Sequence, residues 1–138
     1  MTNAEKTAYL SQYRAIDRRI ERLLDERREW AARAAAVSAT CSGMPNASKR
    51  RGGGDWVSSC VERMLLIEEE IDAQVTRLVC LRRTIELYIE TVPDERQRDL
   101  LRYRYIDGLT WERVADAMHY STMQISRLHA KALAALAL

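Results

Sequence analysis

Apolar residues recur at alternating steps of four and three along the first two thirds of the chain. One run covers residues 9–37 and a second covers residues 57–92. This heptad spacing predicts two long amphipathic helices, at about residues 3–38 and 56–91. Because the two apolar stripes match in length and period, the pattern predicts that the helices pack as an antiparallel, coiled-coil-like hairpin over residues 1–92.

Arg27 interrupts the apolar stripe of the first helix. In the antiparallel register it falls beside Ile67 and the acidic run that begins at Glu68. A long arginine side chain can leave an apolar seam and reach a neighbouring carboxylate. We therefore expect Arg27 to pair with one of these glutamates and to fix the register of the hairpin.

The second helix carries more apolar surface than one partner helix can cover. Either the C-terminal domain or a second subunit would cover the excess, and the sequence leaves both open. The surplus apolar residues are Val61, Leu65, Leu66, Val75, Val79, Cys80 and Leu87.

The segment 38–55 between the two helices is rich in glycine and contains the basic cluster Lys49, Arg50 and Arg51. Glycine and proline there predict a flexible loop. The cluster is either solvated loop charge or a contact to phosphate, and the sequence leaves both open.

Pro93 separates the hairpin from residues 93–138, because proline disfavours helical geometry in the preceding residue and suits the start of a new helix. Three helices are predicted in this second domain. The first ends at Gly108, which can adopt the left-handed cap conformation. Thr110 caps a short second helix, and Ser121 or Thr122 caps the last one.

The apolar spacing of the last two helices is typical of a helix-turn-helix, with Ala115 small enough to allow a close crossing. The short helix would support the last helix so that its outer face enters a DNA major groove, while the short helix's N-terminus donates to a phosphate. From Tyr120 onward the charged residues are the basic Arg127 and Lys131, with no acid. The predicted DNA-binding residues are Thr110, Trp111, Ser121, Thr122, Met123, Gln124, Ser126, Arg127 and Lys131.

Charge and composition limit the classes of protein to which the chain can belong and the partners that it can bind. The net charge of the 138 residues is +2, so affinity for nucleic acid has to come from local placement of cations. No apolar run is long enough for a membrane span, and a cytoplasmic location is expected. The two histidines are not paired with a nucleophile motif, which argues against an enzyme, and no cofactor or metal is expected. The odd count of three cysteines, without a CxxC pair, predicts free thiols.

The stretch RDLLRYRYIDGLTWERVADAMHYSTMQISRLHAKALAAL resembles region 4 of the sigma-70 family of transcription initiation factors. The whole chain resembles the ArpU- and RinA-like regulators of phage late genes. These resemblances imply promoter DNA as the partner and the last helix as the reading helix, and they leave contact with RNA polymerase open. His119 stands where many helix-turn-helix proteins have glycine, so a positive backbone angle is expected there.

The sequence thus predicts an all-α protein, a long antiparallel hairpin followed by a three-helix helix-turn-helix domain. The predicted function is sequence-specific binding of double-stranded DNA in transcription regulation of phage or prophage genes. The alternative is a DNA-recognising subunit similar to a small phage terminase, which would oligomerise through the hairpin. Homodimerisation of the regulator also stays open.

Overall fold

The computed structural model describes the backbone of residues 1–42 and 47–138, and the side chains of residues 1–36 and 54–138. The described backbone forms helices and no strand, which confirms the all-α class. In chain order the helical elements are α1 (Asn3–Ser42), α2 (Ala47–Glu90), α3 (Glu95–Leu101) with a π-helical turn (Arg102–Ile106), α4 (Trp111–Met118) and α5 (Thr122–Ala135). No helix within these described ranges is long and apolar enough to cross a bilayer.

The two long helices extend beyond their predicted ends. Helix α1 continues to Ser42 and α2 already begins at Ala47, so helical backbone reaches into both ends of the segment 38–55. Alanine has the highest intrinsic helix propensity, and the alanines of residues 31–36 favour continuation of α1. The flexibility of this segment stays a prediction. The side chains of Val37, Cys41, Lys49, Arg50 and Arg51 lie outside the described residues.

The chain divides into two compact units. One consists of residues 1–17 and 77–138, and the other of residues 18–76. Both long helices contribute to both units. The division of the protein into domains at Pro93 stays a prediction.

In the unit 18–76, α1 and α2 run antiparallel. Arg27 donates from Nε to Oε1 of Glu68 over 2.8 Å, so the predicted pairing of Arg27 with the acidic run is confirmed. Arg19 forms a second ion pair with Glu70. Half-exposed ion pairs contribute little energy, about 0–1 kcal/mol each. The buried apolar residues contribute more to this unit, and these are Ile20, Leu23, Cys60 and Ile67.

The surplus apolar residues of α2 are exposed. In the unit 77–138 with 1–17, Val79 and Leu87 remain 60% and 57% exposed, so the C-terminal helices of that unit do not cover them. Val61, Leu65 and Leu66 are exposed as well. Of the cysteines whose side chains are described, Cys60 is buried and Cys80 exposed, and both are free thiols as predicted.

In the unit formed by residues 1–17 and 77–138, the start of α1 and the end of α2 share one core with α3, α4 and α5. Leu10, Ile85 and Ile89 have no solvent-accessible surface, and they belong to the same apolar cluster as Leu101 and Ile125. Each fully buried aliphatic side chain contributes about 1.5–3 kcal/mol. The helix-turn-helix is therefore stabilised by residues of the long helices.

Helix α3 begins at a capped residue and ends in a π-helical turn. The Asp94 carboxylate accepts from the Arg96 backbone N–H over 3.0 Å, which satisfies one of the free donors of the first turn. At the other end the Asp107 N–H donates to the Arg102 carbonyl over 2.9 Å, one residue further back than in an α-helix. Gly108 then has φ +71°, which confirms the predicted left-handed cap.

The turn between α4 and α5 has the predicted positive backbone angle. His119 has φ 59° and ψ 40°, in the left-handed region. The next N–H, of Tyr120, donates to the Ala115 carbonyl over 3.0 Å and closes the C-terminal turn of α4. A non-glycine residue in this region carries some strain. The turn directs the chain from the short α4 into α5.

Candidate nucleic-acid interface

Helix α5 buries one face and exposes the other. Ile125, Ala132 and Leu133 are buried on the inner side. The outer side carries residues that are exposed to solvent in this structure and belong to the predicted DNA-binding set, and these are Thr122, Met123, Ser126, Arg127 and Lys131. The face predicted to enter a major groove is therefore not covered by the chain's own described residues.

Helix α4 packs against the buried face of α5. Val114 is fully buried and Ala115 is 5% exposed, and both belong to the cluster that contains Ile125 of α5. The small Ala115 side chain leaves room for the partner helix at this buried position. The predicted role of α4 as a supporting helix agrees with this packing.

The first turn of α5 is closed by a reciprocal capping box. The Ser121 hydroxyl accepts from the Gln124 N–H over 3.2 Å, and the Gln124 side-chain oxygen accepts from the Ser121 N–H over 2.8 Å. This arrangement satisfies two free donors of the helix N-terminus. Both side-chain oxygens thus stabilise the helix start, and the donors that remain for a ligand are the NH₂ group of Gln124 and the O–H of Ser121.

Thr110 and Trp111 lie at the start of α4. The Thr110 hydroxyl accepts from the Arg113 N–H over 3.3 Å and caps the helix. The Trp111 side chain is partly buried, with its ring centroid 4.6 Å from the His129 ring and 4.4 Å from the Arg104 guanidinium carbon. The Trp111 indole is therefore part of the packing between α4 and α5, while the N-terminal end of α4 stays at the surface.

His129 links α5 to the π-helical turn. Its Nε2 and the Tyr105 hydroxyl oxygen share a hydrogen bond of 2.7 Å. Burial, with a smaller effect from the Arg104 charge, lowers the pKa of His129, so the neutral imidazole is favoured. Burial likewise raises the pKa of Tyr105. This hydrogen bond connects α5 to the π-helical turn. The sequence did not predict the pair, because the two residues are brought together only by the fold.

Two clefts flank the exposed face of α5. The first has a volume of about 340 Å³ and is lined by Trp111, Thr122, Ile125, Ser126 and His129. The second has a volume of about 230 Å³ and is lined by Arg96, Tyr120, Gln124, Arg127, Leu128 and Lys131. The first is lined by hydroxyl and aromatic groups, whereas the second brings three cations together.

Arg96 is the cation that sequence reasoning did not select. It lies in the first turn of α3, and its Nη1 donates to the Tyr120 hydroxyl oxygen over 3.3 Å, while its Nη2 lies 3.6 Å from Asp94. The hydrogen bond to Tyr120 is the largest cause of its raised pKa, so the guanidinium stays charged. Nothing in the spacing around Arg96 distinguishes it from other surface arginines. Its position beside Arg127 and Lys131 follows from the packing of α3 against α5.

Three other arginines near the helix-turn-helix, Arg102, Arg104 and Arg113, have different surroundings. Arg104 donates to the Leu109 carbonyl over 3.0 Å and stacks on Trp111, so it stabilises the turn before α4. Arg102 lies 3.8 Å from Asp99, and Arg113 is exposed. None of these three lines the cationic cleft that Arg96 joins beside α5.

Comparison with known families agrees with this geometry. Residues 94–137 match the family model "Sigma-70, region 4", a family of DNA-binding helix-turn-helix modules and not of enzymes. No curated protein and no solved structure is significantly similar to the chain. The match covers the same residues that build α3, α4 and α5. A sigma-70 region 4 domain, a DNA-binding helix-turn-helix, is thus found at residues 94–137.

Proposed function

We propose that this protein is a sequence-specific DNA-binding transcription regulator in which α5 lies in the major groove. One observation carries the proposal: the outer face of α5 is exposed, has no acidic residue, and carries Arg127 and Lys131 beside Arg96. Phosphate neutralisation by such cations supplies much of the affinity of a protein for DNA. The side chains that lie on the exposed face of α5, between Thr122 and these cations, would contact base edges in the groove.

The cationic cleft suits the phosphate backbone along one edge of the groove. Arg96, Arg127 and Lys131 line it together with the Tyr120 hydroxyl, and three positive charges in one cleft favour an anion. Tyr120 would act by positioning Arg96 through their hydrogen bond. On the other side of α5, the exposed N-terminal end of α4 at Thr110 would donate backbone N–H groups to a second phosphate.

The finer assignment is regulation of phage or prophage genes with contact to RNA polymerase. It is supported by the resemblance of the chain to small phage regulators and by the region 4 domain at residues 94–137. Co-purification of the protein with RNA polymerase tests the contact. Transcription from a target promoter, measured with and without the protein, tests whether the protein activates or represses.

DNA binding is tested by selection of bound duplexes from randomised DNA, followed by measurement of affinity at several salt concentrations. Changing Arg127 and Lys131 together to Ala is expected to weaken binding and to reduce the slope of log K against log salt by about 0.9 for each phosphate that is no longer neutralised. The exposed Arg83 of α2, changed to Ala, is the matched control. If the double variant binds like the wild type, α5 is not the DNA-binding helix.

A second candidate function is a small terminase-like subunit that recognises DNA for packaging. The exposed apolar residues of α2, such as Leu65 and Leu66, favour it because they offer surface for oligomerisation. Light scattering separates the two functions. A monomer or homodimer supports the regulator, whereas a ring of eight or more subunits supports the terminase-like role.

A further inference from the structure

The middle of the exposed α5 face is apolar. Met123 is 65% exposed there, one helical turn before the small, exposed Ser126 and two turns before the exposed Ala130. Cations stand at one edge of the face, in the cleft of Arg127 and Lys131. The central strip of the proposed reading helix therefore presents a thioether and a methyl group, with one hydroxyl between them.

This strip lacks the side chains that usually recognise bases by paired hydrogen bonds. Arginine or lysine recognises guanine, and asparagine or glutamine recognises adenine. Gln124 is the nearest amide, but its oxygen is used in the capping box with Ser121. Within the strip itself, the Ser126 hydroxyl is therefore the one group that can hydrogen-bond a base edge, and the rest of its surface is apolar.

Met123 is also held in place on the helix surface. Its sulfur lies 3.7 Å from Nη2 of Arg127, one turn further along α5. This contact directs the apolar end of Met123 alongside a cation that suits the DNA backbone. A flexible, polarisable methionine adapts well to a small apolar group on a partner.

Among the base edges of the major groove, the apolar group is the 5-methyl group of thymine. We propose that Met123 selects thymine by packing its side chain against that methyl group, with Ala130 extending the apolar contact. This inference rests on the proposed binding of α5 in the major groove. It assigns to the protein a preference for thymine that depends on the methyl group and not on the hydrogen-bonding edge.

The experiment uses duplexes recovered by selection with the full-length protein, in which each thymine is replaced in turn by uracil. Uracil keeps the hydrogen-bonding groups of thymine and lacks the methyl group, so the substitution isolates the apolar contact. At one or two positions, removal of the methyl group is expected to weaken wild-type binding about fourfold, the effect of one buried methyl group. Elsewhere in the site the affinity is expected to stay unchanged.

Two variants connect the effect to Met123. Met123→Ala is expected to bind the thymine and uracil duplexes equally, and Met123→Leu is expected to retain the difference, because leucine restores an apolar side chain. Alanine, leucine and methionine all favour helices, so α5 stays formed in each variant. Leu87→Ala, a change of another exposed apolar residue, is the matched control and should discriminate like the wild type.

The result that overturns the inference is equal affinity of the wild type for thymine and uracil duplexes at every position. A loss of affinity that is the same in the wild type and in Met123→Ala also overturns it. In both cases the proposed DNA binding by α5 would still stand if Arg127 and Lys131 contribute to the affinity for DNA in a salt-dependent way. Absence of any duplex binding by the wild type would overturn both proposals.

Discussion

The ammonium of Lys6 donates a hydrogen bond of 2.7 Å to the carbonyl oxygen of Leu133. It donates a second one of 2.9 Å to the carbonyl of Leu136. Lys6 is only 7% exposed, and its positive charge lies at the negative end of the α5 dipole. The first helix of the chain thereby caps the C-terminus of the proposed DNA-reading helix.

Replacement of Lys6 by Met is expected to lower the free energy of unfolding by about 1–3 kcal/mol, because two buried carbonyl groups lose a charged donor. Urea denaturation followed by circular dichroism measures the change. Lys131→Met, at an exposed position of α5, is the control and should lie within about 0.5 kcal/mol of the wild type. Equal stabilities of the two variants would contradict the capping role.

The crossing of α4 and α5 at Ala115 leaves little room for a larger side chain. Ala115→Leu is expected to destabilise the protein by about 1–3 kcal/mol, because the extra methylene groups would enter a packed core. Ala117→Leu, on the exposed side of the same helix, has the same change in volume and serves as the control. Thermal or urea unfolding distinguishes the two, and a stable Ala115→Leu variant would mean that the crossing has room for a larger residue.

Gly108 and His119 both have positive φ angles, which favour glycine. Replacing the glycine at 108 and introducing a glycine at 119 should therefore change the stability in opposite directions. A Cβ at Gly108 would overlap with the guanidinium of Arg14, in addition to the strain of φ +71°. Gly108→Ala is therefore expected to cost about 1–2 kcal/mol or more. His119→Gly relieves such strain and is expected to stabilise the protein by up to about 1 kcal/mol after the entropy of glycine is subtracted. Urea unfolding of both variants checks this difference in sign.

The pKa of His129 is lowered by burial from its ordinary value of 6.5. The unfolded chain then binds more protons than the folded one below that pH, so the stability from neutral His129 is complete above about pH 6.5 and is lost as the pH falls through the folded pKa. Unfolding in urea at pH 7.5 and at lower pH should show this loss. His129→Gln is expected to flatten the pH dependence, and an unchanged pH dependence in this variant would contradict the role of His129.

Arg96 and Tyr120 are expected to act as one unit in DNA binding. Arg96→Ala should reduce the slope of log K against log salt by about 0.9 and weaken binding equally for different sequences, as expected for one phosphate contact. Tyr120→Phe should weaken binding only when Arg96 is present, because its hydroxyl acts through the guanidinium. Additive losses in the double variant would show that the Tyr120 hydroxyl acts independently of Arg96.

Local patterns predicted much of this fold. The heptad spacing predicted Arg27 beside the acidic run that contains its partner Glu68. The preference of left-handed turns for glycine predicted the positive backbone angles of Gly108 and His119. These features depend on residues close in sequence or on a strict helical period. Helix ends were less accurate, because α1 and α2 extend into the segment predicted as a loop.

Features that depend on packing between distant elements were not predicted. Arg96 enters the cationic cleft because α3 packs against α5, and Trp111 packs on His129 because α4 crosses α5. Lys6 had no distinguishing neighbour in the sequence, although its partners lie in the last helix. The nine predicted site residues remain predictions as DNA contacts, while their exposure and partners explain which of them keep free groups for a ligand.

The shared core has a consequence for the order of events during synthesis. The carbonyl groups to which Lys6 donates, those of Leu133 and Leu136, leave the ribosome more than a hundred residues after Lys6. The Lys6 ammonium therefore has neither of these acceptors until α5 has emerged. A nascent chain interrupted before α5 would expose part of the apolar cluster to chaperones and proteases. Because Leu10 of α1 and Ile125 of α5 belong to that one cluster, the core of this unit is complete only when both distant segments have been synthesised.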